Sequence, residues 1–141
     1  MTANKEVIRR MFQEIINEGH LDKVDELFDP EFTSETPQGT LDRDGFREYV
    51  KMWRAGFSDI HCEVDDLVEE GDRVAWSVRA TGTHDGEFMG IPPTHRVVDF
   101  DSLNIGEFRE GKGVRHKVLM NDLKMMAQLG INPAGSAGQP D

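Results

Sequence analysis

The hydrophobic period of this chain changes after residue 56 from the spacing of a helix to that of a strand, and that change restricts the fold more than any other feature. Before it, apolar residues return every three or four positions. Val7, Ile8, Met11, Phe12, Ile15 and Ile16 form adjacent pairs four apart, which makes one stripe on a helix that Gly19 ends. Val24, Leu27 and Phe28 keep helical spacing as far as Asp29-Pro30, where the residue before proline is pushed out of the α region. A short extended piece follows around Phe32. Asp42 can then cap a third helix, with Phe46, Tyr49, Val50 and Trp53 on one face and Gly56 at its end.

Beyond Gly56 the period is two. Ile60, Cys62 and Val64 alternate, Glu70-Gly71-Asp72 turns the chain, and Val74, Trp76, Val78, Ala80, Gly82 and His84 occupy every second place, which predicts a long hairpin. Residues 86 to 94 form an apolar connection rich in Gly and Pro. A further strand carries Val98, Phe100, Ser102, Asn104 and Phe108 on one side, Glu110-Gly111-Lys112-Gly113 turns again, and a last strand runs through Val114, His116, Val118 and Met120. Asn121 or Asp122 caps a short helix with Leu123, Met126 and Leu129, ending at Gly130. Helices first and antiparallel strands afterwards predict an α+β domain, over residues 1 to 131, with helices on one face of a curled sheet. Residues 132 to 141 read as a flexible C-terminal tail.

A chain of 141 residues can bury one core without staples. The formal net charge of −11 repels nucleic acid and acidic membrane surfaces, so neither is expected as a partner. Cys62 is the only cysteine, which excludes an internal disulfide and fits a reducing compartment. Lys5, Glu6, Arg9, Arg10 and Glu14 interrupt the first twenty residues, so these form neither a signal-peptide core nor a spanning segment; a cytoplasmic protein starting at Met1 is expected. The five histidines show no ligand spacing, and no metal site is expected.

The stretch Gly82-Thr83-His84-Asp85-Gly86-Glu87-Phe88-Met89-Gly90-Ile91-Pro92-Pro93-Thr94 resembles the signature of the SnoaL-like polyketide cyclases, within the nuclear-transport-factor-two-like superfamily. Asn4 to Gly19, Leu21 to Phe32, the Glu69 to Val74 turn, Gly111-Lys112, His116 and Gln128-Leu129-Gly130 are similar to that family as well, so the resemblance spans about residues 4 to 130. It implies a conical, cystatin-like α+β barrel, a curved antiparallel sheet roofed by N-terminal helices, commonly homodimeric, with a pocket between the helices and the concave face. The implied chemistry is ring closure by intramolecular aldol condensation, with no metal and no organic cofactor. In the founding members an aspartate two residues after the last-strand histidine is the acid/base, helped by polar side chains on the preceding strand. The resemblance puts Val118 at the aspartate position and Ser102 and Asn104 at the helper positions. The base of the related ketosteroid isomerases falls at Thr36, beside Glu35.

On the even-numbered face of the last three strands, three polar residues stand out among apolar ones: Ser102, Asn104 and His116. A bulge near Gly111 or Gly113 would set Asn104 beside His116. A histidine with an amide partner can exchange protons near neutral pH, as enolisation and aldol closure require, so His116, Asn104 and Ser102 are the catalytic candidates. Expected pocket walls are Trp53, Trp76, His84, Phe88, Met89, Phe100, Val118 and Met120, although for His84 holding the turn beside the signature loop through a backbone bond is the favoured reading. Met11, Phe12, Phe46 and Tyr49 read as core, with Tyr49 adding one polar handle. Glu35 and Asp122 are weighed as acids and read instead as a solvated rim carboxylate and a helix-start residue. Leu103, Ile105 and Leu119 make the opposite face apolar, which a symmetric sheet-to-sheet homodimer would cover. Two functions stay open: a cofactor-independent cyclase or isomerase acting on an apolar carbonyl compound, and a small-molecule binding module without turnover. A hydrolase or hydroxylating relative is a third.

Overall fold

A computed structural model describes residues 2 to 131. The expected tail at 132 to 141 lies outside the described residues. The first helix starts at Ala3, where the Thr2 hydroxyl accepts the Lys5 N–H, and α1 runs over Ala3–Arg10. It then widens into a π-helical segment, Met11–Asn17. The pairing of apolar residues every fourth position gives a reason. At 3.6 residues per turn a strict four-residue repeat drifts around an α-helix, and a more widely wound segment drifts the other way. The combination keeps Val7, Ile8, Met11, Phe12 and Ile15 all buried.

Helix α2 is Lys23–Leu27, and Phe28, which reads as helical in the sequence, instead opens strand β1, Phe28–Thr36. Pro30 sits where the pairing of β1 with its neighbour shifts register, a place that needs no ladder N–H. After β2, Gly39–Leu41, the Asp42 side chain accepts the Gly45 N–H and starts α3, Arg43–Gly56. Strands β3 (His61–Glu70), β4 (Arg73–Thr83), β5 (Val97–Arg109) and β6 (Lys112–Met120) form the antiparallel meander that the period of two predicts, and α4 (Asp122–Gln128) follows, capped by Asn121.

The six strands lie in the order β2-β1-β6-β5-β4-β3 in one open sheet. The expected antiparallel sheet is thus mixed at one joint, because β1 pairs parallel with β6 and carries Ser34 opposite His116. Helix α1, the π segment and α3 cover the concave face, where Phe12, Phe46 and Val50 meet Val74, Trp76 and Val78. A second cluster gathers Phe57, Phe88, Val98, Phe100, Met125 and Leu129 toward the other end. No helix among the described residues is long and apolar enough to cross a membrane. On the convex face Leu103 and Leu119, directly paired across β5 and β6, are 66% and 67% exposed, and Ile105 follows two places along β5.

Candidate functional site

Strand register sets the polar residues of the concave face. Trp76, Asn104 and Val118 stand abreast on β4, β5 and β6, as do Val78, Ser102 and Met120. His116 is level with Gly106, whose missing side chain leaves room between the Trp76 and Phe108 rings. The imidazole therefore stacks on Trp76 (centroids 5.6 Å apart, 15° between planes) and meets Phe46 edge-on. It reaches diagonally to Asn104, and the register shift that accompanies this lies at Glu107/Phe108.

Both ring nitrogens of His116 are occupied. Nε2 lies 2.8 Å from Asn104 Oδ1 and Nδ1 lies 2.8 Å from Ser34 Oγ. The amide oxygen can only accept, so Nε2 carries the proton, and the bare Nδ1 of a neutral ring accepts the Ser34 hydroxyl. Asn104 Nδ2 in turn donates to Ser102 Oγ at 3.1 Å. The result is a one-directional chain, Ser34 to His116 to Asn104 to Ser102, whose first three members are buried. Burial pushes the His116 pKa from 6.5 down to about 4, so the ring is neutral at physiological pH. Sequence reasoning missed Ser34. The signal available was its place two residues after Phe32, which alternation would turn inward with it.

A cavity of about 70 Å³ opens between α3, the π segment and this face. Ser102, Asn104 and His116 line it together with Trp53, Phe100, Val118 and Met120, as expected, and Tyr49 joins them. Four expected wall residues do not line it. Trp76 lies behind His116, packed edge-on against Phe12. Phe88 is buried against Trp53 and Phe57, and Met89 is 56% exposed. These two sit on a connection rather than a strand, so alternation does not decide which way they point.

His84 is fully buried away from the cavity wall. Its Nδ1 accepts the Thr94 N–H at 3.2 Å, and its backbone bonds to Arg96 and His95 close the signature segment into a loop. That loop docks on the end of α3: Asp85 N–H and Gly86 N–H both donate to Gly56 O at 3.1 Å. A Cβ on Gly86 would fall 2.0 Å from the Ala55 carbonyl oxygen, and one on Gly56 would fall 2.8 Å from Phe88. The most distinctive motif of the sequence is therefore a clamp that seats Phe88 under Trp53, behind the cavity wall.

Glu35 points outward and lies near Arg115 and Lys117, at 3.8 and 3.9 Å. Burial raises the Asp122 pKa at the start of α4, although the residue is exposed. Cys62, partly in the cavity wall, is pushed up to about 12 by burial and stays a thiol. Among the described residues no group of three or more His, Cys, Asp and Glu is arranged to hold a metal ion.

An open curved sheet, helices over its concave side and a small apolar cavity with a buried polar chain define a cone-shaped α+β domain of the kind that encloses small molecules. The chain belongs to the SnoaL-like polyketide cyclase family, whose model matches residues 6–129. It is similar to IdmH from Streptomyces antibioticus, assigned as a polyketide cyclase, at 31% identity over 91% of this chain and 99% of that one, with a TM-score of 0.80. It is also similar to AclR from Streptomyces galilaeus, assigned as a hydroxylase, at 26% identity over 92% and 82% of the two chains, with a TM-score of 0.81. A SnoaL-like protein from Jannaschia sp. CCS1 shares the fold, with a TM-score of 0.84 at 24% identity over 93% and 94%. No curated protein matches the chain.

Proposed function

We propose that this protein binds a small, uncharged, largely apolar carbonyl compound in the cone cavity. The observation that carries the reading is the cavity wall itself. Its only hydrogen-bonding side chains besides aromatic ones and a thiol are Ser102, Asn104 and His116, and no Asp, Glu, Lys or Arg lines it among the described residues. A charged ligand there would lack compensation and bind at a heavy desolvation cost. With Val118 in place of the cyclases' aspartate and His116 held neutral, proton transfer at neutral pH has no poised carboxylate to perform it.

Cofactor-independent cyclase- or isomerase-type turnover of the same ligand class is the second reading, and the imidazole in the cavity wall favours it. In that reading His116 exchanges the proton while Asn104 and Ser102 anchor the ligand. The two readings separate on proton exchange at the carbon next to the carbonyl, followed by NMR for cyclohexanone in D₂O. We expect wild type to bind the ketone without accelerating exchange. Val118→Asp should begin to exchange it, because a carboxylate desolvated by Val78, Phe100 and Met120 has a raised pKa, at a stability cost of about 1–3 kcal/mol. Exchange by wild type that falls about a hundredfold in His116→Ala would establish turnover instead. A homodimer across the convex face belongs to the same proposal, since Leu103, Leu119 and Ile105 need cover.

A further inference from the structure

Hydrogen-bond capacity around the cavity is unevenly spent, and the surplus is on the donor side. In the chain from Ser34 to Ser102 each group donates to the next, which leaves the Ser102 hydroxyl proton without an acceptor among the described residues. Ser102 stands directly beside Met120 across the β5–β6 ladder. From the opposite wall Tyr49 reaches over from α3, and the acceptor its hydroxyl meets is the Met120 sulfur, at 3.9 Å. A thioether at that distance is a weak partner. Two hydroxyls with protons to give thus flank one methionine from two sides of the cavity.

The next turn of α3 adds a third donor. The Trp53 ring stands edge-on to Tyr49, centroids 6.3 Å apart, and its buried N–H makes no hydrogen bond of acceptable geometry among the described residues. Burial raises the Tyr49 phenol pKa to about 12, so the hydroxyl keeps its proton at neutral pH. Buried donors without acceptors are uncommon because each costs desolvation free energy. Around this cavity the Trp53 N–H has no acceptor, the Tyr49 hydroxyl has only a thioether and the Ser102 proton has none among the described residues, which matches a ligand whose polar atom is an acceptor.

Resting on the ligand-binding reading above, we propose that Tyr49 and Ser102 form a two-donor subsite for the ligand's carbonyl oxygen, and that Tyr49 makes the cavity select ketones over hydrocarbons of the same shape. The flexible Met120 side chain moves aside as the oxygen takes over the Tyr49 proton. The subsite is neutral, so it takes a neutral oxygen, and it would hold the same oxygen more strongly as negative charge developed on it.

Cyclohexanone and methylenecyclohexane, alike in shape and different only in C=O against C=CH₂, test this directly. Wild type should bind the ketone about tenfold more tightly by ligand-observed NMR, the size of effect that neutral hydrogen bonds give net of water. Tyr49→Phe should remove most of that preference, with the loss falling on the ketone and not on the alkene. The infrared carbonyl stretch of bound cyclohexanone should lie below its position in cyclohexane solvent and move back up in Tyr49→Phe. Equal wild-type affinity for the pair, or a carbonyl stretch at the cyclohexane position, overturns the subsite while leaving the cavity reading intact. A ketone preference that survives Tyr49→Phe and disappears in Ser102→Ala overturns the role of Tyr49. If neither compound binds, the ligand-binding reading falls and the subsite falls with it.

Discussion

Acidification from pH 6.5 to 4 should cost this protein stability through one imidazole, and His116→Gln should remove that cost. Burial holds the folded His116 pKa near 4 against 6.5 for an exposed ring, and its contacts, Ser34, Asn104, Trp76 and Phe46, are all uncharged. Because the folded value lies below the unfolded one, the unfolded chain takes up a proton that the folded chain refuses. The stabilisation is complete above pH 6.5, declines as pH falls toward 4, and does not change further below that. At ~1.4 kcal/mol per pH unit, the interval between the two values is worth about 3 kcal/mol. Carboxylates held low by arginine partners, such as Glu14 with Arg10 and Asp99 with Arg79, also lose stabilising charge in acid, but they do so in both proteins and cancel in the comparison. Urea unfolding at several pH values between 7 and 4 measures the difference. Wild type should lose about 3 kcal/mol more than His116→Gln over that range, whatever the variant costs at pH 7. Imidazole nitrogen shifts should show a neutral ring protonated at Nε2 down to pH 5. A His116 that titrates near 6.5, or two stability curves that stay parallel, would refute both the burial argument and the directed hydrogen-bond chain.

Gly86→Ala should break the clamp between the signature loop and α3, because its Cβ would meet a backbone oxygen, Ala55 O, at 2.0 Å, and backbone cannot swing aside. We expect a loss of about 2–4 kcal/mol and a Tm lower by several degrees in thermal unfolding; an unchanged Tm would mean the loop does not seat α3 as described. Leu103→Glu combined with Leu119→Glu would bury four unpartnered carboxylates per dimer if the convex faces pair, so sedimentation should report monomers for the variant and dimers for wild type. A mass unaltered by the substitutions would remove that interface.

Much of the architecture is legible in the sequence because secondary structure leaves a local record. The switch of period after Gly56 separates the helices from the meander, Asp42 and Asn121 announce the starts of α3 and α4, and alternation places Ser102, Asn104, His116 and Val118 on the buried face. Alternation is a property of each strand taken alone, which is why it identifies a face without knowing the neighbours. It has no meaning for a connection, which is why Phe88 and Met89, expected as wall residues, lie off the cavity, while His84, just past the end of β4, takes the loop-holding role that the sequence favoured for it. It also gave no warning that the first helix widens at Met11 or that Phe28 belongs to a strand. What the tertiary structure alone decided is adjacency. Parallel pairing of β1 with β6 brings Ser34 to His116 across 82 residues of chain, and α3 hangs Tyr49 over Met120 across 71. No local spacing records such contacts. They depend on which strand edges and helix faces meet when the core closes, and that choice fixes the tautomer of His116 and the donors around the cavity.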